Sequence, residues 1–161
     1  MWNKTKKAVL SILILILITG CTMFNKKYVG KNITNDDIQE FYYTYSTSTF
    51  PPEYQRYHFY KENGNLYFYH DYRSGETFPL TEKDTKQSGK LLLDQDTAKQ
   101  FYALLENGVV EKRKERLESG SAGPWLYLYW ENDKGKYQEF SFESYTKLKE
   151  FEEFCKALKA E

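Results

Sequence analysis

The sequence predicts an α+β fold, one antiparallel sheet of about six strands with two helices packed on one face. Three observations carry this expectation. Short runs rich in Tyr, Phe, Trp, Thr and Val alternate with Gly, Pro and Asn turn signals, as strands do. Two longer segments repeat apolar residues at helical spacing. The order is strands then helix, twice over, and each helical stripe needs a sheet to cover. A division into two βββα units, residues 36–107 and 108–160, fits that order. At 161 residues, 40% hydrophobic and 18% aromatic, the chain suits a single domain with a real core. Lys plus Arg, 23, balance Asp plus Glu, 23, which speaks against a nucleic-acid binder.

The first strand is expected over 38–47, around Phe41-Tyr42-Tyr43-Thr44-Tyr45, and Pro51-Pro52 ends it. Residues 55–62 and 65–72 follow as a hairpin around Asn63-Gly64, whose two positions suit the positive φ of a type I′ turn. That loop sets Glu62 opposite Asn65, and hence Tyr60 opposite Tyr67, Phe59 opposite Phe68, and His58 opposite Tyr69. Residues 74–90 read as a surface excursion. Asp94 then caps a helix carrying Ala98, Phe101, Leu104 and Leu105, which Asn107-Gly108 stops, with Gly108 in the left-handed conformation.

Residues 109–117 read as a solvated edge strand, because both charge signs alternate through 111–116. A second hairpin joins Trp125-Leu126-Tyr127-Leu128-Tyr129-Trp130 to 137–143. Taking Asp133-Lys134-Gly135 as its loop sets Leu128 against Phe140 and Leu126 against Phe142. Ser144 caps the last helix, whose stripe is Tyr145, Leu148, Phe151, Phe154, Cys155 and Leu158. Cys155 is expected to pack in the core.

The hairpin registers sort side chains by face. Tyr57, Phe59, Leu66, Phe68, Leu126, Leu128, Trp130, Phe140 and Phe142 form the apolar set under the helices. His58, Tyr60, Tyr67, Tyr69, Trp125, Tyr127 and Tyr129, with Glu139 and Ser141, form the other. Its rings carry polar tips, as side chains do at boundaries between apolar and wet surroundings. These seven aromatic residues are the candidate binding site, for a protein or a glycan. The ordinary reading of the same pattern is a well-paired, solvated sheet.

The head of the chain is an address. Lys4, Lys6 and Lys7 precede the apolar run of residues 8–18, which is shorter than the roughly 20 residues that span a bilayer. Ile18-Thr19-Gly20-Cys21 follows and resembles the lipobox of bacterial lipoproteins. The resemblance implies cleavage before Cys21, diacylglycerol on its thiol, and anchoring in a membrane of the bacterial envelope, facing away from the cytoplasm. Thr22 at the next position would favour an outer membrane in a double-membraned cell. Residues 1–20 are then a signal peptide, 21–35 a lipidated tether, and 36–161 the domain. Removing the leader deletes three lysines, leaving 20 basic against 23 acidic residues, a net charge of −3. With Cys21 acylated, Cys155 has no intrachain disulfide partner.

No motif points to a cofactor or metal. His58 and His70, the only histidines, fall on opposite hairpin faces and cannot share an ion. Gly120-Ser121-Ala122-Gly123 lacks the spacing of a nucleophile elbow. The expected function is therefore a non-catalytic binding module on a membrane tether. The alternative is an envelope hydrolase acting on cell-wall material through two carboxylates.

Overall fold

The computed structural model describes residues 26–113, 123–130 and 137–159. They form one antiparallel sheet of eight strands, in the order β1-β6-β8-β7-β2-β3-β4-β5, with two helices on one face. The elements are β1 (Lys26–Tyr28), β2 (Glu40–Thr47), β3 (Glu53–Glu62), β4 (Asn65–Ser74), β5 (Thr85–Leu92), α1 (Gln95–Leu105), β6 (Val109–Arg113), β7 (Trp125–Tyr129), β8 (Tyr137–Ser141) and α2 (Tyr145–Lys159). The class is the expected one, but the strand count exceeds six. Five strands precede α1 and three separate it from α2, so the halves are not two equal βββα units.

The Asn63-Gly64 hairpin forms with the predicted register along its whole length, from Glu62 opposite Asn65 to Glu53 opposite Ser74. Asn63 and Gly64 take φ of 53° and 80°, the positive values the turn requires. Asp94 caps α1, its side chain accepting from the Thr97 amide at 2.7 Å. Ser144 Oγ accepts from the Lys147 amide at 3.2 Å and caps α2.

The two additional strands come from segments with weak strand signals. Part of the expected tether is folded: β1 pairs with β6, and Val29 and Ile33 are fully buried beyond it. Part of the expected excursion is β5, which pairs with β4 and leaves a turn over residues 75–84. β5 lacks aromatic residues, and its central Gly89 fits beneath His70, where a Cβ would stand 2.9 Å from Nε2. As the outer strands, β1 and β5 carry lysines at Lys26, Lys27, Lys86 and Lys90, a deterrent to edge-to-edge pairing. The segment expected to play that part, β6, lies inside the sheet between β1 and β8. Residues 114–117 of that expectation lie outside the described residues.

Three local expectations are also corrected. In the second hairpin Tyr127 lies opposite Glu139, two residues away from the predicted pairing. A shift of two keeps every side chain on its predicted face, so the apolar pattern cannot tell the registers apart. The Asp133-Lys134-Gly135 turn lies outside the described residues. At the end of α1, Asn107 takes the positive φ of 60°, and Gly108 has a different reason to be glycine. A Cβ there would lie 2.3 Å from the Phe140 ring and 2.9 Å from the Leu105 carbonyl oxygen. Tyr145, the first residue of α2, is 72% exposed and so leaves the buried stripe.

Phenylalanine rings knit helices to sheet. Phe41 touches Phe140 and Phe151 edge-on at 5.1 and 5.2 Å, and Phe101, Phe142 and Phe59 at 6.0 to 6.4 Å. Phe59 stacks on Phe101 at 4.1 Å. Cys155 is fully buried beside them, and burial pushes its thiol pKa well up, so it behaves as a small apolar side chain. Both helices therefore occupy one face and leave the opposite face of the sheet to the aromatic set.

Candidate functional site

Strand order decides what that second face looks like. β2 sits between β3 and β7 and so joins the two hairpins into one surface. Its register places Tyr42 opposite both His58 and Tyr127, and Glu40 opposite both Tyr60 and Tyr129. One row across the sheet is thus Glu139, Tyr127, Tyr42, His58, Tyr69 and Lys90. The next is Tyr129, Glu40, Tyr60, Tyr67 and Leu92.

The candidate residues His58, Tyr60, Tyr67, Tyr69, Trp125, Tyr127 and Tyr129 all lie on this face, and all are half-buried. His70 is on the helix side, buried, as its parity requires. Cys21 lies outside the described residues, as does Ser121.

Four rings form a column. Tyr42 and His58 stack at 4.0 Å with planes 10° apart, and His58 and Tyr60 at 4.7 Å and 29°. Tyr60 and Tyr67 continue it at 5.6 Å and 21°. At one end the Tyr129 ring meets Tyr42 edge-on, at 5.9 Å and 88°. At the other, the Lys90 ammonium lies 4.1 Å from the Tyr67 centroid and 5.2 Å from that of Tyr60. The cation is attracted by the negative ring faces. Hydrogen bonds to Tyr60 and Glu62 raise the Lys90 pKa and keep it charged.

Glu40 anchors the middle of the column. The Tyr42 hydroxyl donates to Glu40 Oε2 at 2.5 Å, and His58 Nε2 lies 3.1 Å from the same oxygen. Burial drives the His58 pKa down to about 4, with Arg56 adding repulsion, while the Glu40 carboxylate pulls the other way. His58 is therefore neutral near pH 7 and must carry its proton on Nε2 to donate to Glu40.

Towards the far end of β3 and β4 the face changes character. Asp71 is buried, and its Oδ2 accepts from Arg73 Nε at 3.0 Å and Nη2 at 2.6 Å. The guanidinium groups of Arg56 and Arg73 flank the Tyr54 ring at 5.4 and 5.1 Å.

Sequence reasoning missed Tyr42 and Glu40, the residues that bind the column together. The alternation of Phe41 and Tyr43 with Tyr42 marks the faces of β2, but not its neighbours. The hydrolase alternative requires two close acids, one with a raised pKa. Asp37, Asp84 and Asp94 have their pKa values moved down, not up, through hydrogen bonds to Thr34, Thr81 and Thr97 at turns and a helix cap. Among the described residues no helix is long and apolar enough to cross a membrane, and no His, Cys, Asp and Glu group has metal-holding geometry. No protein-family model, curated protein or solved structure matches the chain.

Proposed function

We propose that this chain is a lipid-anchored envelope protein whose aromatic sheet face docks a protein partner. The observation that carries the reading is the continuity of the ring column from Tyr129 to Tyr67 across three strands and the β7 junction. Continuity is what separates a shared contact surface from solitary surface tyrosines, which need no explanation.

The stacking supports a protein over a glycan partner. A sugar ring packs on a free aromatic face. Here His58 and Tyr60 each have stacked neighbours, and Tyr67 is topped by Lys90, so ring edges are what remain for a partner. Rigid, amphipathic rings held by their neighbours lose little entropy on binding, which favours Tyr and Trp at protein interfaces. Membrane attachment is supported by the lipobox-like Ile18-Thr19-Gly20-Cys21. Several acyl chains on one residue hold a protein far better than one.

One experiment addresses both parts. Cells expressing the full chain are fed labelled palmitate, with a photo-crosslinking amino acid placed at Tyr69, or at Lys99 on α1 as the control. The expected result is a labelled chain that loses its label on Cys21→Ser. A discrete protein adduct should form from position 69 but not 99, and weaken about tenfold on Tyr60→Ser, the loss of a contact worth about 1.4 kcal/mol. An unlabelled chain overturns the anchor. Equal adducts from both positions, or none, overturn the docking face.

A further inference from the structure

β1 begins at Lys26 and is the outermost strand on one side of the sheet, so its outer edge has no strand partner. Only five residue steps separate Lys26 from Cys21, a reach of at most about 18 Å. The ladders carry Lys26 through Glu111, Glu139 and Tyr127 to the level of Tyr42 on β2. Four antiparallel pairings in succession make β1 and β2 run in the same direction. The chain therefore enters β1 from the end of the sheet opposite Thr47. Five residues along the strands and four strands across place Thr47 about 25 Å from Lys26. Phe50, 81% exposed, follows in the loop beyond Thr47.

Charge supplies a second observation. Lys26, Lys27, Tyr28 and Lys31 are all exposed at this edge. Lys26 pairs with Glu111 at 2.7 Å, whereas Lys27 and Lys31 form no ion pair among the described residues. Glu106, a further acid here, lies against the Gly30 backbone. With residues 1–20 removed, the charges other than these three lysines are 17 basic against 23 acidic. An anionic surface therefore attracts this edge and repels the rest of the chain. Tyr28 suits the same setting, since its ring is apolar and its hydroxyl polar.

We propose that the free edge formed by Lys26, Lys27, Tyr28 and Lys31 rests on the bilayer that holds the acyl chains, with its lysines against anionic phosphate headgroups. The inference rests on the lipid-anchor reading and is independent of the docking face. The short tether keeps the edge within reach of the headgroups. The unpaired ammonium groups of Lys27 and Lys31 then turn it towards them, and the loop carrying Phe50 points away from the membrane. A domain that merely hung from its tether would have no preferred edge.

The test uses the full chain made in cells fed labelled palmitate, then reconstituted into vesicles. One set contains phosphatidylglycerol and phosphatidylethanolamine, the other phosphatidylcholine alone. A photo-crosslinking amino acid replaces Tyr28 or, as the control, Phe50. The expected result in the anionic vesicles is a phospholipid adduct from position 28 and little from position 50. Lys27→Gln combined with Lys31→Gln should cut the position-28 yield at least about fivefold there, the loss expected for one lysine at an anionic surface. Both side chains are exposed, so the fold tolerates the change. In phosphatidylcholine vesicles the same change should leave the yield as it was. A labelled chain giving equal adducts from positions 28 and 50, or a yield in anionic vesicles indifferent to the lysines, would overturn this proposal and leave the anchor standing. An unlabelled chain would overturn both.

Discussion

Phe41→Ala is expected to lower the free energy of unfolding by about 3–5 kcal/mol, as large a loss as truncating one buried ring ordinarily produces. The ring is fully buried and meets five other phenylalanines, drawn from β3, α1, β8, α2 and the segment between β8 and α2. Removing it leaves a cavity at the point where both helices converge on the sheet. Those neighbours are held by one another and by backbone, so the space cannot close by one side chain swinging in. For a domain stable by about 5–15 kcal/mol, such a loss takes a third or more of the total. Urea titration monitored by tryptophan fluorescence measures it, with Tyr145→Ala as the comparison. That exposed residue should change stability by no more than about 0.5 kcal/mol. If the two variants were equally stable, the aromatic hub would not be the centre of the core.

Acidification is expected to produce the second large effect, through His58. Its folded pKa of about 4 lies below the ordinary value of 6.5, chiefly because burial between Tyr42 and Tyr60 disfavours the charged ring. As pH falls, the unfolded chain binds the proton first. The contribution of a neutral, buried His58 is thus fully present above about pH 6.5 and is lost progressively towards pH 4, by up to about 3 kcal/mol. His70, also lowered by burial, acts in the same direction. His58→Gln keeps a donor for Glu40 but does not titrate. Its unfolding free energy should therefore fall less steeply between pH 6.5 and 4.5 than that of the native chain. Denaturant titrations at several pH values compare the slopes, and parallel slopes would show that His58 is not the titrating group. Because His58 is central to the ring column, the same protonation should loosen that column before the fold is lost.

Much of this architecture is readable without coordinates, for identifiable reasons. The Asn63-Gly64 turn, the Asp94 and Ser144 caps and the face assignment of the hairpins rest on interactions between residues close in sequence. Local chemistry carries the whole constraint there. β1 and β5 escaped because their strand character is imposed by neighbours. Lys26–Tyr28 is ordered by pairing with β6, and Thr85–Leu92 by pairing with β4 around a glycine under His70. The β7–β8 register escaped for a different reason. Sliding by two residues exchanges Leu and Phe partners without turning any side chain over, so the apolar pattern does not distinguish the alternatives.

The candidate site divides in the same way. Alternation along β3, β4 and β7 was enough to place His58, Tyr60, Tyr67, Tyr69, Trp125, Tyr127 and Tyr129 on the face away from the core. The amino-acid sequence alone thus determined the composition of that face and the two capped helices. Only the tertiary structure decided that β2 lies between the hairpins and that Tyr42 and Glu40 tie separate patches into one column. The physical reason is that alternation is a property of one strand, whereas the order of strands is set by how all of them and both helices share a single core.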